Sequence, residues 1–218
     1  MLELTPDELL TTTRTVRKRL DLSRPVPRAL IEECLALALQ APNGGNMNGW
    51  RWIAVDDRAT IRELARLYNQ GLDDYIATFG QQGYPGAHVP GADKITDSTQ
   101  HLRDHFAELP AVLVPLVAGR TDFPGANVFH QASVWGSIVQ AVWSFMLALR
   151  SRGLGSAYTT LHLNYEREAA AILGIPETVT QVAMIPVAWY TGDSFRPARR
   201  RPVEQVVYLN RWRQKPGA

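Results

Sequence analysis

Cysteine is nearly absent from this chain, which has Cys34 as its single one among 218 residues. One cysteine excludes an internal disulfide framework and a zinc site built from cysteines. Cys34 lies at an apolar position of a helical pattern, so we expect a buried thiol that packs as a small hydrophobic side chain.

An excess of either charge is absent as well, because 23 Lys and Arg stand against 21 Asp and Glu. This balance does not favour nucleic acid as a partner, and we predict none. The chain is 45% hydrophobic and 20% charged, which is ordinary for a globular protein. We predict a single domain over residues 1–218, because this length suits one large core.

Signals for secretion and for membrane insertion are also missing. The N-terminus MLELTPDELL has no basic region followed by a long apolar run. The longest apolar stretch, 134–149, is interrupted by Gln140 and by serines. We therefore expect a cytoplasmic protein without membrane association.

The motifs of side-chain catalysis are absent. The five histidines show no HExxH spacing, and the pair His101 and His105 has no acid placed to serve a zinc protease. There is no G-x-S-x-G elbow and no P-loop, and GLGSAY departs from G-x-G-x-x-G at Tyr158. We predict no metal site and no catalytic side chain, so that a bound cofactor supplies the chemistry if the protein is an enzyme.

Helices and strands are present in mixed order. The segment TPDELL begins a helix, with Thr5 as the N-cap, Pro6 in the first turn and Glu8 in a capping box. Apolar spacing predicts further helices around 30–39, 58–76, 127–152 and 166–173, and strands at 50–55, 111–119 and 181–192, with a strand or loop at 153–163. Because the two types do not alternate strictly, we predict an α+β fold.

Two segments are unusual in composition. The helix over 127–152 is apolar nearly all round, so it must be buried in the core or in a subunit interface. Residues 80–93 hold four Gly and two Pro, which excludes a regular element there. Such a loop is typical of a functional lid or of disorder, and we predict a variable, lid-like region around 75–108.

Arginine is concentrated in two clusters. Arg14, Arg17, Lys18 and Arg19 are expected near the end of the first helix. Arg14 would share one helical face with Arg17 or Lys18, an arrangement that suits a phosphate group. A solvated basic helix end is an equal alternative. The tail cluster of Arg196, Arg199, Arg200 and Arg201 is either a second phosphate clamp or exposed surface.

Between the second helix and the first strand lies an uncharged turn, PNGGNMNG, at 42–49. Amide groups of Asn46 and Asn48 and accessible backbone suit the edge of a neutral heteroaromatic ring. The alternative is a helix C-cap with Gly44 or Gly45 in the left-handed conformation, and both interpretations are compatible. Trp50 and Trp52 follow, and we expect them to anchor the turn to the core.

Taken in order, these segments resemble the FMN-dependent nitroreductase family. The resemblance rests on TRTVRKRLDLSRPVPRAL, APNGGNMNGWRWIAV, RGLGSAYTTLHL and RRRPVEQVVYLNRW, and it extends from Leu9 to Trp212. This sequence departs from the family pattern at Thr13, Thr15 and Asn43, and at Asn48-Gly49, where the family has Gln-Pro. Each motif is weak alone, but the ordered set is specific.

The resemblance implies an α+β nitroreductase-like fold with a mixed or antiparallel central sheet, and an intertwined homodimer with FMN at its interface. By position, it assigns three groups of cofactor-binding residues. The phosphate and ribityl group is Arg14, Thr15, Arg17, Arg199 and Arg200; the group offered to the partner's flavin is Pro42, Asn43, Gly44 and Asn46; the group at the ring is Tyr158, Thr159, Thr160 and Leu161.

The resemblance also implies an activity, namely ping-pong transfer from NADH or NADPH through FMN to an electron-poor small molecule such as a nitroaromatic or a quinone. One alternative is a flavin enzyme of other chemistry, such as an enone reductase, a dehydrogenase or an oxidase. Another is a protein that sequesters flavin without turnover. A nucleic-acid binder would show binding that falls steeply with salt.

Overall fold

The structure is a computed structural model that describes residues 2–79 and 92–214. The helices are α1 (Pro6–Thr12), α2 (Arg28–Ala38), α3 (Arg58–Phe79), α4 (Ala92–His105), α5 (Val128–Ser151), α6 (Glu166–Leu173) and α7 (Val203–Val206). The strands are β1 (Leu20–Asp21), β2 (Trp50–Val55), β3 (Ala111–Ala118), β4 (Leu154–Ser156), β5 (Val179–Gln181) and β6 (Ile185–Tyr190). Short 3-10 turns cover Gly44–Asn46, Phe106–Glu108 and Leu161–Tyr165.

One antiparallel sheet organises these elements. Its strands run β1-β6-β3-β2, with β4 also paired to β6 and β5 also paired to β3. Helices cover both faces of this sheet, which confirms the α+β prediction.

The central strand β3 divides the core into two layers. Leu113 and Val117 point to a layer shared with α2 and α5, whereas Val112, Val114 and Leu116 point to a layer shared with α3. Successive side chains on a strand face opposite sides, so an apolar run at β3 requires cover on both faces. The prediction of a buried strand here is confirmed.

The first helix ends before the basic residues that were expected near its C-terminus. Its N-cap is Thr5 with Glu8 in a capping box, as predicted, but α1 ends at Thr12, and Arg14 and Arg17 lie beyond it. The hydroxyl of Thr13 donates to the Leu9 carbonyl at 2.6 Å, and Thr11 and Thr12 make the same kind of bond four residues back. Three β-branched residues with hydroxyls that compete for backbone groups end the helix early. The expectation of a shared helical face for Arg14 and Arg17 was wrong.

The turn after α2 is not a helix cap. The helix ends at Ala38, and a separate 3-10 turn follows at Gly44–Asn46. Gly45 has the left-handed φ of 60° expected for one of the two glycines, but it lies inside this second turn. The C-cap interpretation is therefore corrected.

The last predicted strand is two strands. β5 and β6 both pair with β3, but their registers differ by one residue, so Val182, Ala183 and Met184 form a bulge beside Pro115. Proline has no N–H to give to the ladder, and its carbonyl accepts from the backbone N–H of Val182 at 3.0 Å. The bulge frees Met184 for a contact on the opposite edge.

The long helix α5 matches the predicted range, with Asn127 as its N-cap. Its inner side packs into the core, while Val128 and Phe129 are 84% and 72% exposed and Val139 and Trp143 are 40% exposed. The core alone does not cover this helix. Among the described residues α5 is also the one helix long and apolar enough to cross a membrane, a test that core helices pass as well.

Two further expectations concern single features. Cys34 is fully buried, as predicted, and burial raises the pKa of its thiol to about 11. Of the glycine-rich stretch 80–93, residues 80–91 lie outside the described residues, whereas α4 begins at Ala92. Residues 92–93 are therefore helical, contrary to the expectation.

Candidate functional site

The structure brings one group of the expected site residues together at a cavity of about 310 Å³. We call this the first cavity. Its walls are the ring segment 158–161, the side chain of Arg17, and one face each of α3 and α4. The helical faces contribute Tyr68, Leu72, Tyr75, Ile76, Ile95, Thr96, Thr99 and Gln100.

Hydrogen bonds to two neighbouring segments place the ring segment. Thr15 forms a bridge with Ser156, and the backbone N–H of Val16 donates to the Ser156 carbonyl at 2.9 Å. On the other side, Thr159 and Met184 exchange backbone hydrogen bonds of 3.2 and 2.8 Å. The segment that carries Arg17 therefore runs beside the ring segment, and the bulge holds the ring segment from behind.

Close backbone packing fixes the same segment against α3. A Cβ atom at Gly71 would lie 2.0 Å from the Leu161 carbonyl oxygen. A separation under 3.0 Å leaves no room for any side chain at Gly71. Glycine in the middle of a helix costs stability, and here it permits the contact that builds one wall of the first cavity.

Arg17 retains an unused donor in the first cavity. Its Nη1 donates to the Ser98 hydroxyl at 3.2 Å, whereas its Nε is buried and has no partner among the described residues. Buried polar groups of proteins are almost always paired. An anionic ligand with oxygen acceptors would satisfy this guanidinium in the way that phosphate does.

Ion pairs hold α4 as the opposite wall. Lys18 pairs with Asp97, and Arg103 makes two hydrogen bonds to the carboxylate of Asp73 on α3. The Lys18 pair and the hydrogen bond from Arg17 to Ser98 connect the basic segment to α4, and the Arg103 bonds connect α4 to α3.

A second group of expected residues lies at another cavity, of about 400 Å³, which we call the second cavity. Asn43 and Gly44 line it, together with Trp50 and the first turns of α5. The Asn43 side chain accepts from the Asn48 N–H at 3.2 Å, and Asn48 Nδ2 donates to the Asn46 carbonyl at 2.9 Å.

Left-handed backbone explains the composition of this turn. Asn46 and Asn48 have φ values of 54° and 51°, in the region that only Gly, Asn and Asp visit readily. Ser137 of α5 secures the turn, because its hydroxyl accepts from the Gly44 N–H at 3.1 Å and from Trp50 Nε1 at 3.2 Å. Trp50 is 7% exposed, so it anchors the turn as predicted.

The two cavities share no lining residue. Within one chain, the expected residues of the turn are therefore not brought to Arg17 and the ring segment. Arg14 lines neither cavity, and Pro42 is exposed beside the second. Arg199 and Arg200 are exposed in the tail, where Arg200 Nη1 donates to the Arg199 carbonyl at 3.3 Å.

Sequence reasoning missed the function of Arg19. Its Nε and Nη1 donate to the Thr191 and Ser194 carbonyls at 2.6 and 2.8 Å, and its guanidinium lies 4.1 Å from the ring centre of Phe195. This arginine anchors the start of the tail instead of facing a ligand. Nothing in the basic run distinguishes it from Arg17, because its partners are far away in sequence.

His162 was also missed. It follows the ring segment directly, is fully buried, and neither ring nitrogen has a partner among the described residues. Burial lowers the pKa of His162 to about 4, against a smaller opposing effect of Glu166. The imidazole is therefore neutral at pH 7. A histidine in an apolar run is the signal that could have indicated such a group.

Charged residues are gathered at a separate cleft. Arg120 binds the carboxylates of Asp122 and Glu166 with four hydrogen bonds of 2.8 to 2.9 Å, and these bonds raise its pKa further. No group of three or more His, Cys, Asp or Glu in the described ranges is arranged for a metal ion. The cleft is a paired network that fixes α6 to the end of β3.

Comparison with known proteins gives a consistent result. The model of the nitroreductase family matches residues 10–189. A protein named NADH dehydrogenase from Thermus thermophilus is 31% identical over 194 residues, which are 84% of this chain and 86% of that protein. An iodotyrosine dehalogenase 1 homolog from Caenorhabditis elegans is 25% identical over 201 residues, and the match covers 86% of this chain and 56% of that protein.

Solved structures resemble this chain over nearly its whole length. Oxidised iodotyrosine deiodinase bound to FMN and 3-iodo-L-tyrosine has a TM-score of 0.73 at 21% identity, over 94% of this chain and 99% of that one. An FMN- and NADPH-dependent nitroreductase from sphigopyxis sp. strain HMH has a TM-score of 0.68 at 19% identity, over 96% and 100%. At these identities the likeness concerns the fold.

Proposed function

This chain belongs to the nitroreductase family, and on that basis we propose that it is a flavin oxidoreductase that binds FMN and transfers electrons from NADH or NADPH to a small acceptor. Structures with a similar fold support the assignment to flavin oxidoreductases, since they include an FMN-bound protein and an FMN-dependent one. In its finer form, the proposal is a ping-pong reduction of nitroaromatics or quinones.

One observation carries the proposal to this chain. The buried, unpartnered Nε of Arg17 lies at a cavity bordered by the ring segment 158–161. This donor set fits a phosphate at one end and an uncharged ring at the other. We assign Arg14, Thr15 and Arg17 to the phosphate and ribityl chain of FMN and the ring segment to its isoalloxazine.

The residues of the ring segment would not contribute equally. The N–H and the hydroxyl of Thr159 both donate to the Met184 carbonyl. Thr159 therefore supplies wall surface, whereas donors to the ring must come from its neighbours. Tyr158 is 36% exposed, and partial burial raises the pKa of its phenol, which stays protonated at neutral pH.

We further propose a homodimer with two flavin sites at its interface. The apolar side of α5, with Val128, Phe129, Val139 and Trp143 exposed, requires cover that one chain does not supply. Asn43 and Gly44 line the opposite cavity from Arg17, and Asn46 belongs to the same turn. A second copy would bring its turn to the first cavity of this one, with Arg199 or Arg200 of a tail at the phosphate.

Bound FMN would supply hydride and electron transfer, with the nicotinamide leaving before the acceptor enters the same cavity. The chain's own part is to bind the phosphate, to orient the ring and to keep water out with the faces of α3 and α4. No side chain needs to act as a nucleophile. A second candidate chemistry is reductive removal of a halogen from an aromatic ring, which the similarity to iodotyrosine dehalogenase favours.

The decisive experiment is the absorbance spectrum of the purified protein, recorded before and after anaerobic NADPH and then NADH. We expect a flavin spectrum that bleaches with at least one nicotinamide. A colourless protein that takes up no added FMN contradicts the proposal, and a flavin that neither nicotinamide reduces supports sequestration instead.

The site assignment is tested by flavin retention. Arg17→Ala should raise the Kd for FMN about 10- to 100-fold, because a hydrogen bond to a charged group contributes about 1.5–3 kcal/mol. Arg14→Ala and Arg200→Ala should weaken retention less. Arg62→Ala removes an exposed arginine of α3 that lines neither cavity and serves as the matched control. Equal FMN affinity in the Arg17 and Arg62 variants would refute the phosphate site.

A further inference from the structure

The walls of the first cavity are almost without charge. Of its thirteen lining residues, Arg17 alone carries a full charge at neutral pH, and the others are aromatic, aliphatic, threonine or glutamine side chains. Under the proposed function, on which this inference rests, Arg17 is neutralised by the cofactor phosphate. The acceptor would therefore meet neutral walls.

This neutrality results from helical spacing. On α4 the cavity side carries Ile95, Thr96, Thr99 and Gln100, at positions i, i+1, i+4 and i+5. On α3 it carries Tyr68, Leu72, Tyr75 and Ile76. Side chains three and four apart share one helical face. The many charged residues of α4 accordingly fall on its other faces.

Nearby carboxylates are bound elsewhere. Asp73 pairs with Arg103 and Asp97 pairs with Lys18. Asp74 accepts from the Tyr165 hydroxyl at 2.8 Å. None of these acids lines the cavity.

The second cavity has the same character. Its fourteen lining residues include no Asp, Glu, Lys or Arg, and His130 is the one titratable side chain among them. In the proposed dimer this surface would complete the flavin site. The second copy would then add no Asp, Glu, Lys or Arg side chain from this surface, whereas the separate cleft of Arg120 and Glu166 is lined by five charged residues.

We propose that the physiological acceptor is an uncharged aromatic molecule, and that this site rejects free amino acids and other charged acceptors. A charge that leaves water without a counter-charge is strongly disfavoured, and a zwitterion brings two. The ligand 3-iodo-L-tyrosine of the solved iodotyrosine deiodinase carries an ammonium and a carboxylate. The walls described here offer no carboxylate to the ammonium.

The test uses the FMN-loaded protein and four acceptors that share a nitrophenyl group. They are 4-nitrobenzyl alcohol, 4-nitrobenzylamine, the carboxylate of 4-nitrophenylacetic acid, and 4-nitro-L-phenylalanine. These share a para methylene and differ in charge. We expect kcat/KM for the alcohol to exceed kcat/KM for each charged analogue by about ten-fold or more, which corresponds to about 1.4 kcal/mol. A ratio within two-fold for the zwitterion would overturn the proposal.

Binding without turnover gives an independent readout. Oxidised holoprotein is titrated with 2-iodo-4-methylphenol and with 3-iodo-L-tyrosine, and the change in flavin absorbance is followed. We expect a Kd at least ten-fold lower for the phenol, and equal Kd values would overturn the proposal even if no nitro compound is reduced. Failure of the proposed function is distinct, because it appears as absent or irreducible flavin.

A wall variant tests the cause. Thr99→Asp places a carboxylate on the α4 side of the first cavity and should improve kcat/KM for 4-nitrobenzylamine relative to the alcohol by about five-fold or more. Asn164→Asp makes the same change of charge at an exposed position and should leave the ratio unchanged. If Thr99→Asp and Asn164→Asp change this kcat/KM ratio equally, the uncharged cavity wall is not the cause of the discrimination.

Discussion

The first cavity collects its walls from distant parts of the chain, whereas the second is formed by one turn and the start of one helix, with the end of β3 beside them. Arg17, α3, α4 and the ring segment meet only through long-range contacts. At the second cavity, Asn43, Gly44 and Trp50 are close in sequence, and Ser137 holds them. The first has an unsatisfied cationic donor, and the second has none.

This difference indicates a division of tasks. An anionic group belongs with Arg17, and an uncharged turn with several left-handed residues suits a ring edge. The composition of the turn, three Asn and three Gly without charge, has a structural cause in its φ values and a proposed functional cause in the flavin. Under the proposed function each cavity supplies one part of the flavin site, which is the physical argument for a second copy.

The largest expected effect concerns acid, which should damage the first cavity before the second. His162 lies directly after the ring segment and its pKa is about 4 in the folded chain, against 6.5 when exposed. The unfolded chain binds more protons between these values, so stability is full above pH 6.5 and falls as the pH drops toward 4. This difference in the pKa of His162 corresponds to about 3 kcal/mol in the free energy of unfolding.

Urea unfolding at pH 7, 5.5 and 4.5 measures this effect, at constant protein concentration because association also contributes. His162→Leu fills the same buried position without a titrating group and should lose less stability than the wild type as the pH falls. Parallel pH profiles for the two proteins would show that another group dominates.

The next effect concerns the backbone contact behind the first cavity. Gly71→Ala places a Cβ atom 2.0 Å from the Leu161 carbonyl oxygen, so either α3 or the ring segment must move. Such overpacking costs about 1–3 kcal/mol. The free energy of unfolding and the affinity for FMN should both decrease.

Gly49→Ala is the matched control at the second cavity, because its nearest neighbour is the Ala118 Cβ at 3.9 Å. It should change stability by no more than about 0.5 kcal/mol. If Gly71→Ala is as stable as Gly49→Ala, the first cavity is less rigid than its packing indicates.

Local patterns predicted most of the elements and little of their assembly. The periodic apolar residues of α2, α3 and α5 predicted those helices, and the N-cap Thr5 lies where the pattern places it. The errors arose where long-range or backbone effects decide. Threonine hydroxyls ended α1, and a register shift beside Pro115 divided the last strand.

The candidate site shows the same limit. Arg17 and residues 158–161 were selected by resemblance, and the structure places them at one cavity, while their role stays a prediction. The faces of α3 and α4 that complete this cavity were not foreseen. Their charged and neutral residues alternate in sequence, and only the packed structure shows which ones point inward.

The smallest expected effect belongs to the second cavity. Ser137→Ala removes the oxygen that accepts from Trp50 Nε1 at 3.2 Å and from the Gly44 N–H at 3.1 Å. Water can replace the partner of the exposed Gly44, but Trp50 is buried, so we expect a loss of about 1 kcal/mol. Urea unfolding and the emission maximum of tryptophan measure it.

Ser133→Ala is the matched change, since Ser133 lines the same cavity and its side chain makes no hydrogen bond to a described residue. It should leave stability within about 0.5 kcal/mol. In the proposed dimer, Ser137→Ala should also weaken FMN binding, because a loosened turn would present Asn43 and Asn46 poorly to the flavin. An effect on stability without any effect on FMN would place the turn outside the flavin site and leave Arg17 and the ring segment to hold FMN within one chain.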